Sequence, residues 1–292
     1  MKSGFVCVAG APSVGKSTLV NVFVGEKVSI VSQKPGTTRN RINAILTSDD
    51  AQIIFVDTPG IHKPLHMIGK YLFKIAVSAL EGNDLILFVI SATRVGSADK
   101  TVAAKIKELS TPVIGVINKT DIANESYLKE ARSIFDDLDV KNIFEISAIQ
   151  NKGTDILLES IKSMLPEGPK YYPEDIVTDR PTAFMISEII REKVFELTHE
   201  EIPYSSAVEI DQIEEDDKIT KIYATIFVER DSQKGIVLGK GGRMIKEIGT
   251  LARKDVEYLL DNHVFLSLHV KVKTNWTEDD KMLGKMFREE IN

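Results

Sequence analysis

The residues best suited to chemistry form one short run, Gly10-Ala11-Pro12-Ser13-Val14-Gly15-Lys16-Ser17, with Thr18 next. It fits G-x-x-x-x-G-K-[ST], a loop whose backbone N–H groups curl around a phosphate at a helix N-terminus. In such a loop Lys16 reaches the β- and γ-phosphates, and the Ser17 hydroxyl is a ligand for Mg2+. The loop alone does not choose between ATP and GTP. Three later segments do, in order along the chain. Asp57-Thr58-Pro59-Gly60 offers a carboxylate to Mg2+ and a glycine N–H to the γ-phosphate. Asn118-Lys119-Thr120-Asp121 offers a carboxylate that accepts from N1–H and the 2-amino group of guanine. Adenine lacks that donor pair, so a buried Asp121 rejects it. Lys119 can lie along the base, and Asn118 can brace the loop. Ser147-Ala148 offers backbone N–H groups to guanine O6. In-line attack of water on a γ-phosphate needs charge neutralisation and a positioned nucleophile. Lys16, the metal and the loop amides supply the first. Ile61, just after Gly60, cannot orient water, so slow basal hydrolysis that a partner accelerates is expected.

Each segment needs a strand to end beneath it. Apolar runs predict strands at 4–10, 42–47, 52–57, 85–91, 113–118 and 143–147, with 42–57 folding as a hairpin. Helical spacing falls at 16–24, 67–80, 98–109, 126–138 and 154–164. The alternation implies an α/β P-loop domain with a mostly parallel sheet and helices on both faces. The start of the chain faintly resembles a signal peptide, but the phosphate loop that follows needs it as a strand.

The pattern breaks at Pro166-Glu167-Gly168-Pro169-Lys170-Tyr171-Tyr172-Pro173, which cannot continue a helix or a central strand. This divides the chain into a nucleotide-binding domain over 1–167, a linker over 168–181 and a second domain over 182–292. There helices are expected at 182–199, 232–238, 243–260 and 278–288, and strands at 206–213, 220–229 and 264–273. The acidic run 214–217 reads as a solvated hairpin tip. Between two of the helices lies Ile236-Val237-Leu238-Gly239-Lys240-Gly241-Gly242-Arg243-Met244-Ile245-Lys246. A loop poor in side chains admits a nucleic-acid backbone, and the next helix aims its N-terminal amides at a phosphate. Candidate RNA contacts are Ile236, Gly239, Lys240, Gly241, Gly242, Arg243 and Lys246. Ile236, Val237, Ile245 and Ile248 are expected to floor the site.

Charge first argues against nucleic acid: 37 basic against 43 acidic residues leave −6. Residues 168–292 hold 18 basic and 25 acidic side chains, so the candidate RNA-binding half is the more acidic. Yet 230–254 holds seven basic (Arg230, Lys234, Lys240, Arg243, Lys246, Arg253, Lys254) and two acidic (Asp231, Glu247). A basic island in an acidic surround favours one docked segment over casual polyanion binding. The single cysteine, Cys7, excludes an internal disulfide and fits a reducing cytosol. No Cys/His spacing suggests zinc. His62 and His66, four apart, read as solvated rather than as metal ligands or acid/base groups, and His199, His263 and His269 as structural or exposed. Trp276 reads as packing at a helix start, with Thr277 and Asp280 as an N-cap pair. No apolar run is long enough to cross a bilayer. An amphipathic C-terminal stretch leaves peripheral association with the inner face of the cell membrane open, although 278–290 carry more acid than base, which disfavours it.

The four nucleotide motifs resemble those of the translation-factor-like GTPases, in the branch that holds the Era, Der and tRNA-modifying families. Gly36-Thr37-Thr38-Arg39 is similar to that branch's first switch, and the resemblance implies that Thr38 caps Mg2+ and senses the γ-phosphate. The hydrophobic residue at Ile61 is also typical of the branch. Several relatives carry Asn where this chain has Ser13, an Asn linked to a monovalent cation, so potassium activation is not assigned. The G-x-x-G segment with its flanking I-V-L and R-M-I-K resembles a KH domain, and the element order the type II arrangement, an α+β fold. A KH domain after such a GTPase domain resembles the Era family, with support from Ser187–Lys193, Ile202–Ser205 and Val270–Lys273. The resemblance implies a cytoplasmic, monomeric GTPase with GTP/GDP and Mg2+ as cofactors. It further implies binding of the 3′ region of 16S ribosomal RNA and help in assembly and maturation of the 30S subunit. A tRNA-modifying or large-subunit GTPase fits less well, because it gives no reason for the KH half. A membrane-associated switch is the other alternative.

Overall fold

The structure is a computed structural model describing residues 1–32, 34–64, 66–216 and 218–291, without the side chains of 285, 286 and 288–291. Parts of the loops 33–41 and 60–69, Asp217 of the acidic turn, and the charged side chains of 285–290 therefore lie outside what is described. Contacts divide the chain into two units, Met1–Asp179 with the last residues from Lys285, and Arg180–Gly284.

The first unit alternates as expected. Its elements are β1 (Lys2–Gly10), α1 (Lys16–Val24), β2 (Ile42–Thr47), β3 (Ala51–Asp57), α2 (Met67–Ser78), β4 (Leu85–Ser91), α3 (Ser97–Ile106), β5 (Val113–Asn118), α4 (Glu125–Asp137), β6 (Ile143–Glu145) and α5 (Thr154–Met164). The sheet order is β2-β3-β1-β4-β5-β6. Only the hairpin pair β2–β3 is antiparallel. Strand β4 is buried along its whole length, as a central strand covered on both faces must be. Cys7 and Ala9 of β1, Phe88 of β4 and Phe135 of α4 share one apolar core with Ile61. Cys7 is fully buried, and that burial pushes its thiol up to about 12. Strand β6 is three residues long, so Ser147 lies two residues past its end rather than on it.

The segment read as a linker is bonded to the first unit as far as Asp179. Buried Gln52 accepts from the N–H groups of Tyr171 and Tyr172 and donates to Tyr172 O. Ile45 N–H donates to Val177 O, and the Asn43 amide donates to Asp179. Prolines stop regular structure here, but β2 is an edge strand with free backbone groups, and the extended chain satisfies them.

The second unit contains α6 (Thr182–Leu197), α7 (Ile202–Ser205), β7 (Ala207–Glu214), β8 (Thr220–Val228), α8 (Asp231–Leu238), α9 (Arg243–Leu260) and β9 (Val264–Val272), and then the start of α10 (Asp280–Ile291). The three-stranded sheet runs β7-β8-β9, antiparallel then parallel. Ile222, Ala224 and Ile226 alternate inward on β8 and pack with Val237, Ile248, Ala252 and Val256 of the helices. Val237 and Ile248 are therefore core residues, not the floor of an RNA site. Trp276 is buried, and its indole N–H donates to Ser205 O. The α10 cap is Asp279, which accepts from the N–H groups of Lys281 and Met282, whereas Thr277 donates to Glu229. No described helix is long and apolar enough to cross a membrane.

Candidate functional site

The loop from Gly10 to Ser17 joins β1 to α1 with two residues in the left-handed region, Ser13 (φ 62°) and Gly15 (φ 97°). Gly15 is obligatory for a second reason: a Cβ there would sit 2.3 Å from Asn118 Nδ2. Gly10 is closed in likewise, since its Cβ would lie 2.4 Å from Val89 O. Lys16 is buried, and its ammonium donates to Gly10 O (3.2 Å) and Ala11 O (3.0 Å). Burial pulls it down to about 8, and Asp57 opposes that shift. Thr18 lines the same cleft as Pro12, Lys16, Ser17, Thr38 and Gly60.

Ser17 Oγ donates to Asp57 Oδ2 at 2.6 Å and lies 3.0 Å from Thr38 Oγ1. With the Ser17 proton spent on Asp57, the Thr38 hydroxyl is the donor of that second bond. Asp57 is buried, which raises its carboxyl, while Ser17 and Lys16 pull it back. Its Oδ1 is buried and has no hydrogen-bond partner among the described residues. Two hydroxyls and an unsatisfied carboxylate oxygen form the all-oxygen donor set that Mg2+ prefers. Ser17, Thr38 and Asp57 thus fit the metal role expected of them. Among the described residues no group of three or more His, Cys, Asp or Glu could hold a metal. His62 Nδ1 lies 3.1 Å from Gly60 O.

Gly60 packs against the phosphate loop so closely that a Cβ would come within 2.6 Å of Pro12 Cα. Ile61 is fully buried in the core, and its N–H donates to Gly10 O. It is a structural plug between the loops and does not face the cleft.

Asn118 organises the base side. Its amide donates to Val14 O (2.9 Å), and its Oδ1 accepts from Lys119 N (2.8 Å) and Ala148 N (3.0 Å). Lys119, at φ 65°, donates from Nζ to Ser13 O. Asp121 accepts from Ser147 Oγ at 2.6 Å. Two expectations change here. Asp121 is exposed rather than buried, so any low-dielectric discrimination arises only when a base covers it. The two amides expected at guanine O6 donate within the protein, Ser147 to Lys152 O and Ala148 to Asn118. No motif announces these bonds, because the short β6 leaves the following loop to close on itself. Replacing Asn118 by Ala strands Val14 O and Ala148 N together, at roughly 1–3 kcal/mol for each buried group left unpaired. We expect nucleotide affinity to fall about 100-fold and the melting temperature to drop, as titration calorimetry and a thermal melt can check.

In the second unit, Gly239 (φ 71°), Gly241 (φ 62°) and Gly242 (φ 77°) turn the chain from α8 into α9. A Cβ on Gly239 would meet Met244 Cβ at 2.7 Å, whereas Gly241 and Gly242 face open space. Lys240, Arg243 and Lys246 are exposed around them, and Ile236 is half-exposed. A groove lies between α9 and β9, lined by Ile245, Lys246, Gly249, Thr250, Arg253 and Phe265 among others. Gly249 and Phe265 were not singled out from the sequence, and Arg253 entered only as part of the basic island, because a strand and a distant helix give no sign of sharing a groove.

The family described as "50S ribosome-binding GTPase" matches residues 5–119, and "KH domain" matches residues 201–277. GTPase Era of Thermotoga petrophila is 54% identical over 284 residues, spanning 96% of this chain and 95% of that one. This chain belongs to the Era family of GTPases. GTPase Era of Staphylococcus epidermidis is 46% identical over 278 residues, 94% of this chain and 93% of that one. Two solved Era structures, each 40% identical with a TM-score of 0.93, cover 98% of this chain. One is a substituted Aquifex aeolicus Era bound to GDP and AlF4−, covered over 99% of its length. The other is Era with MgGDPNP and nucleotides 1506–1542 of 16S ribosomal RNA, covered over 98%. The Era family explains why one chain carries both the phosphate cradle and the G-x-x-G turn.

Proposed function

We propose that this chain is a Mg2+-dependent GTPase whose nucleotide state governs binding of the 3′ region of 16S ribosomal RNA, in assembly and maturation of the 30S subunit. In this reading it works as a cytoplasmic monomer, without stable membrane attachment. The observation that carries the nucleotide half is Asn118, which ties the phosphate loop to both base-reading loops through three hydrogen bonds. The groove beside Gly239–Arg243 supports the RNA half.

The roles follow from the geometry. Lys16 and the loop amides hold the β- and γ-phosphates, and Lys16 shifts from its contacts with Gly10 O and Ala11 O to phosphate oxygens. Ser17, Thr38 and Asp57 hold Mg2+, which when bound withdraws charge from the transferring phosphoryl group. Thr38 links that cluster to the first switch, and Gly60, against Pro12, places its amide beside the loop. Asp121 and Lys119 select and flank guanine, with Asn118, Ser147 and Ala148 as the supporting frame. With Ile61 in the core, this chain places no side chain just after Gly60 to orient water, so basal turnover is slow and a partner speeds it.

One consequence is a proton. Lys16 sits near 8 in the free protein, and phosphate binding raises it toward its ordinary value of 10.5. Lys16 should therefore add proton uptake to binding around pH 8, a contribution that fades at lower pH, where Lys16 is already charged. Calorimetry in two buffers of different ionisation heat reads this directly; equal apparent enthalpies at pH 8 would contradict it.

The function itself is tested by crosslinking and sequencing RNA bound to the full chain with GTP or with GDP. Enrichment of the small-subunit 3′ end with GTP is the expected result, and absence from both states removes the RNA assignment. Asp121→Asn should weaken the preference for guanine in the same preparation while leaving RNA recovery dependent on added nucleotide.

A further inference from the structure

The sheet of the second unit has two faces, and only the inner one belongs to the core. In the parallel β8–β9 register Ile222 pairs with Leu266 and Ile226 with Val270, all directed inward. Their neighbours, Tyr223 on β8 and Phe265, Ser267, His269 and Lys271 on β9, therefore share the outer face. Lys273 extends the same alternation just past β9. Phe265 is 49% exposed and meets Tyr223 edge-on with ring centroids 6.2 Å apart. His269, Lys271 and Lys273 are exposed, and Lys273 Nζ lies 5.7 Å above the Phe227 ring. The far side of the face is acidic: Glu209, Asp211 and Glu214 are exposed on β7. The face thus grades from carboxylates on β7 to aromatic rings and lysines on β9. Strand β9 is also an edge strand, and its first half, with Phe265, lines the groove against α9, the helix that starts at the G-x-x-G turn.

We propose that the outer face of β8 and β9 is a second RNA platform, continuous with the groove across the β9 edge. Single-stranded nucleotides leaving the groove stack on Phe265 and Tyr223, and Lys271 and Lys273 meet their phosphates. Aromatic faces accept any base, and an alternating basic strip tracks a backbone, so this platform is tolerant of sequence. The acidic β7 repels a polyanion and confines the strand to the β9 side. Charge complementarity and continuity with the groove both favour a nucleic acid over a protein here. The inference rests on the RNA half of the proposed function.

The test uses the full chain with GTP and two fluorescent RNAs. One is a short single strand of about eight nucleotides from the 16S 3′ region, enough for the groove. The other is extended by about eight uridines at the end whose extension binds tighter. The extended RNA should bind about tenfold tighter, and the slope of log affinity against log salt should steepen by about 1.4 for two added phosphate contacts. Lys271→Glu with Lys273→Glu should erase that gain and leave the short RNA unchanged. As an independent readout, 4-thiouridine in the extension should crosslink to the peptide spanning 264–273. If the short RNA does not bind at all, the RNA half of the proposed function fails. If it binds and neither extension tightens binding, the platform alone is overturned. It is equally overturned if the double variant binds both RNAs like the parent but no longer cosediments with 30S subunits, which would make the face a protein-docking surface.

Discussion

Lys16→Ala is expected to lower kcat/KM for GTP by about 10³-fold or more, with the fold retained. The magnitude follows from what Lys16 does in the cleft. It is a buried cation beside a buried carboxylate, held on Gly10 O and Ala11 O until phosphate oxygens replace them. In a site shielded from water, a preorganised charge that meets charge developing on a phosphoryl group accounts for several kcal/mol of the barrier. The fold should survive because the ammonium is itself costly to bury, as its lowered pKa records. Its loss should also raise the Asp57 carboxyl further and weaken Mg2+ binding. Phosphate release under saturating Mg2+, together with a thermal melt, separates the two effects. Turnover near the parental rate would remove Lys16 from the mechanism.

Gly241→Asp with Gly242→Asp should lower RNA affinity about 100-fold or more and leave GTP affinity unchanged. Both positions have positive φ, a region Asp tolerates better than most residues, and both face open space. The unit should therefore fold, while two carboxylates sit where a phosphate would meet the N-terminus of α9. Gly239→Ala is the contrast. Its Cβ would press on Met244 at 2.7 Å, so it should destabilise the α8–α9 junction rather than repel RNA. Filter binding and a melt of each variant distinguish charge from distortion. Unchanged RNA binding in the double variant would place the RNA elsewhere on the protein.

The phosphate cradle was legible because its chemistry fixes both residue type and spacing: glycines where a Cβ cannot fit, then Lys16 and Ser17 at the helix start. The same holds for Asp57 and Asn118, whose strands are apolar runs. Burial direction was less legible. Val237 and Ile248 looked able to floor the RNA groove, but an apolar residue near a helix end can turn to either side, and both turned to the core. The packing of the linker segment was less legible for a related reason. Its prolines announce irregular backbone, but nothing in them reveals that Gln52 and Asn43, more than a hundred residues earlier, hold that backbone in place. The amides of Ser147 and Ala148 follow the same rule: they donate inward, to Lys152 O and to Asn118, and the motifs do not show that direction.

Cys7 gives the molecule an intrinsic reporter. The sole thiol lies on the central strand β1, between β3 and β4, with no exposed surface. Burial holds it protonated well above physiological pH, so a thiol reagent meets neither an accessible sulfur nor a thiolate while the sheet is closed. Its labelling rate is therefore a clock for opening of the GTPase sheet, read without a label engineered into the chain. The second unit has no cysteine of its own, so one introduced on its surface would be modified first and selectively, and the two halves of the protein can be followed in a single reaction.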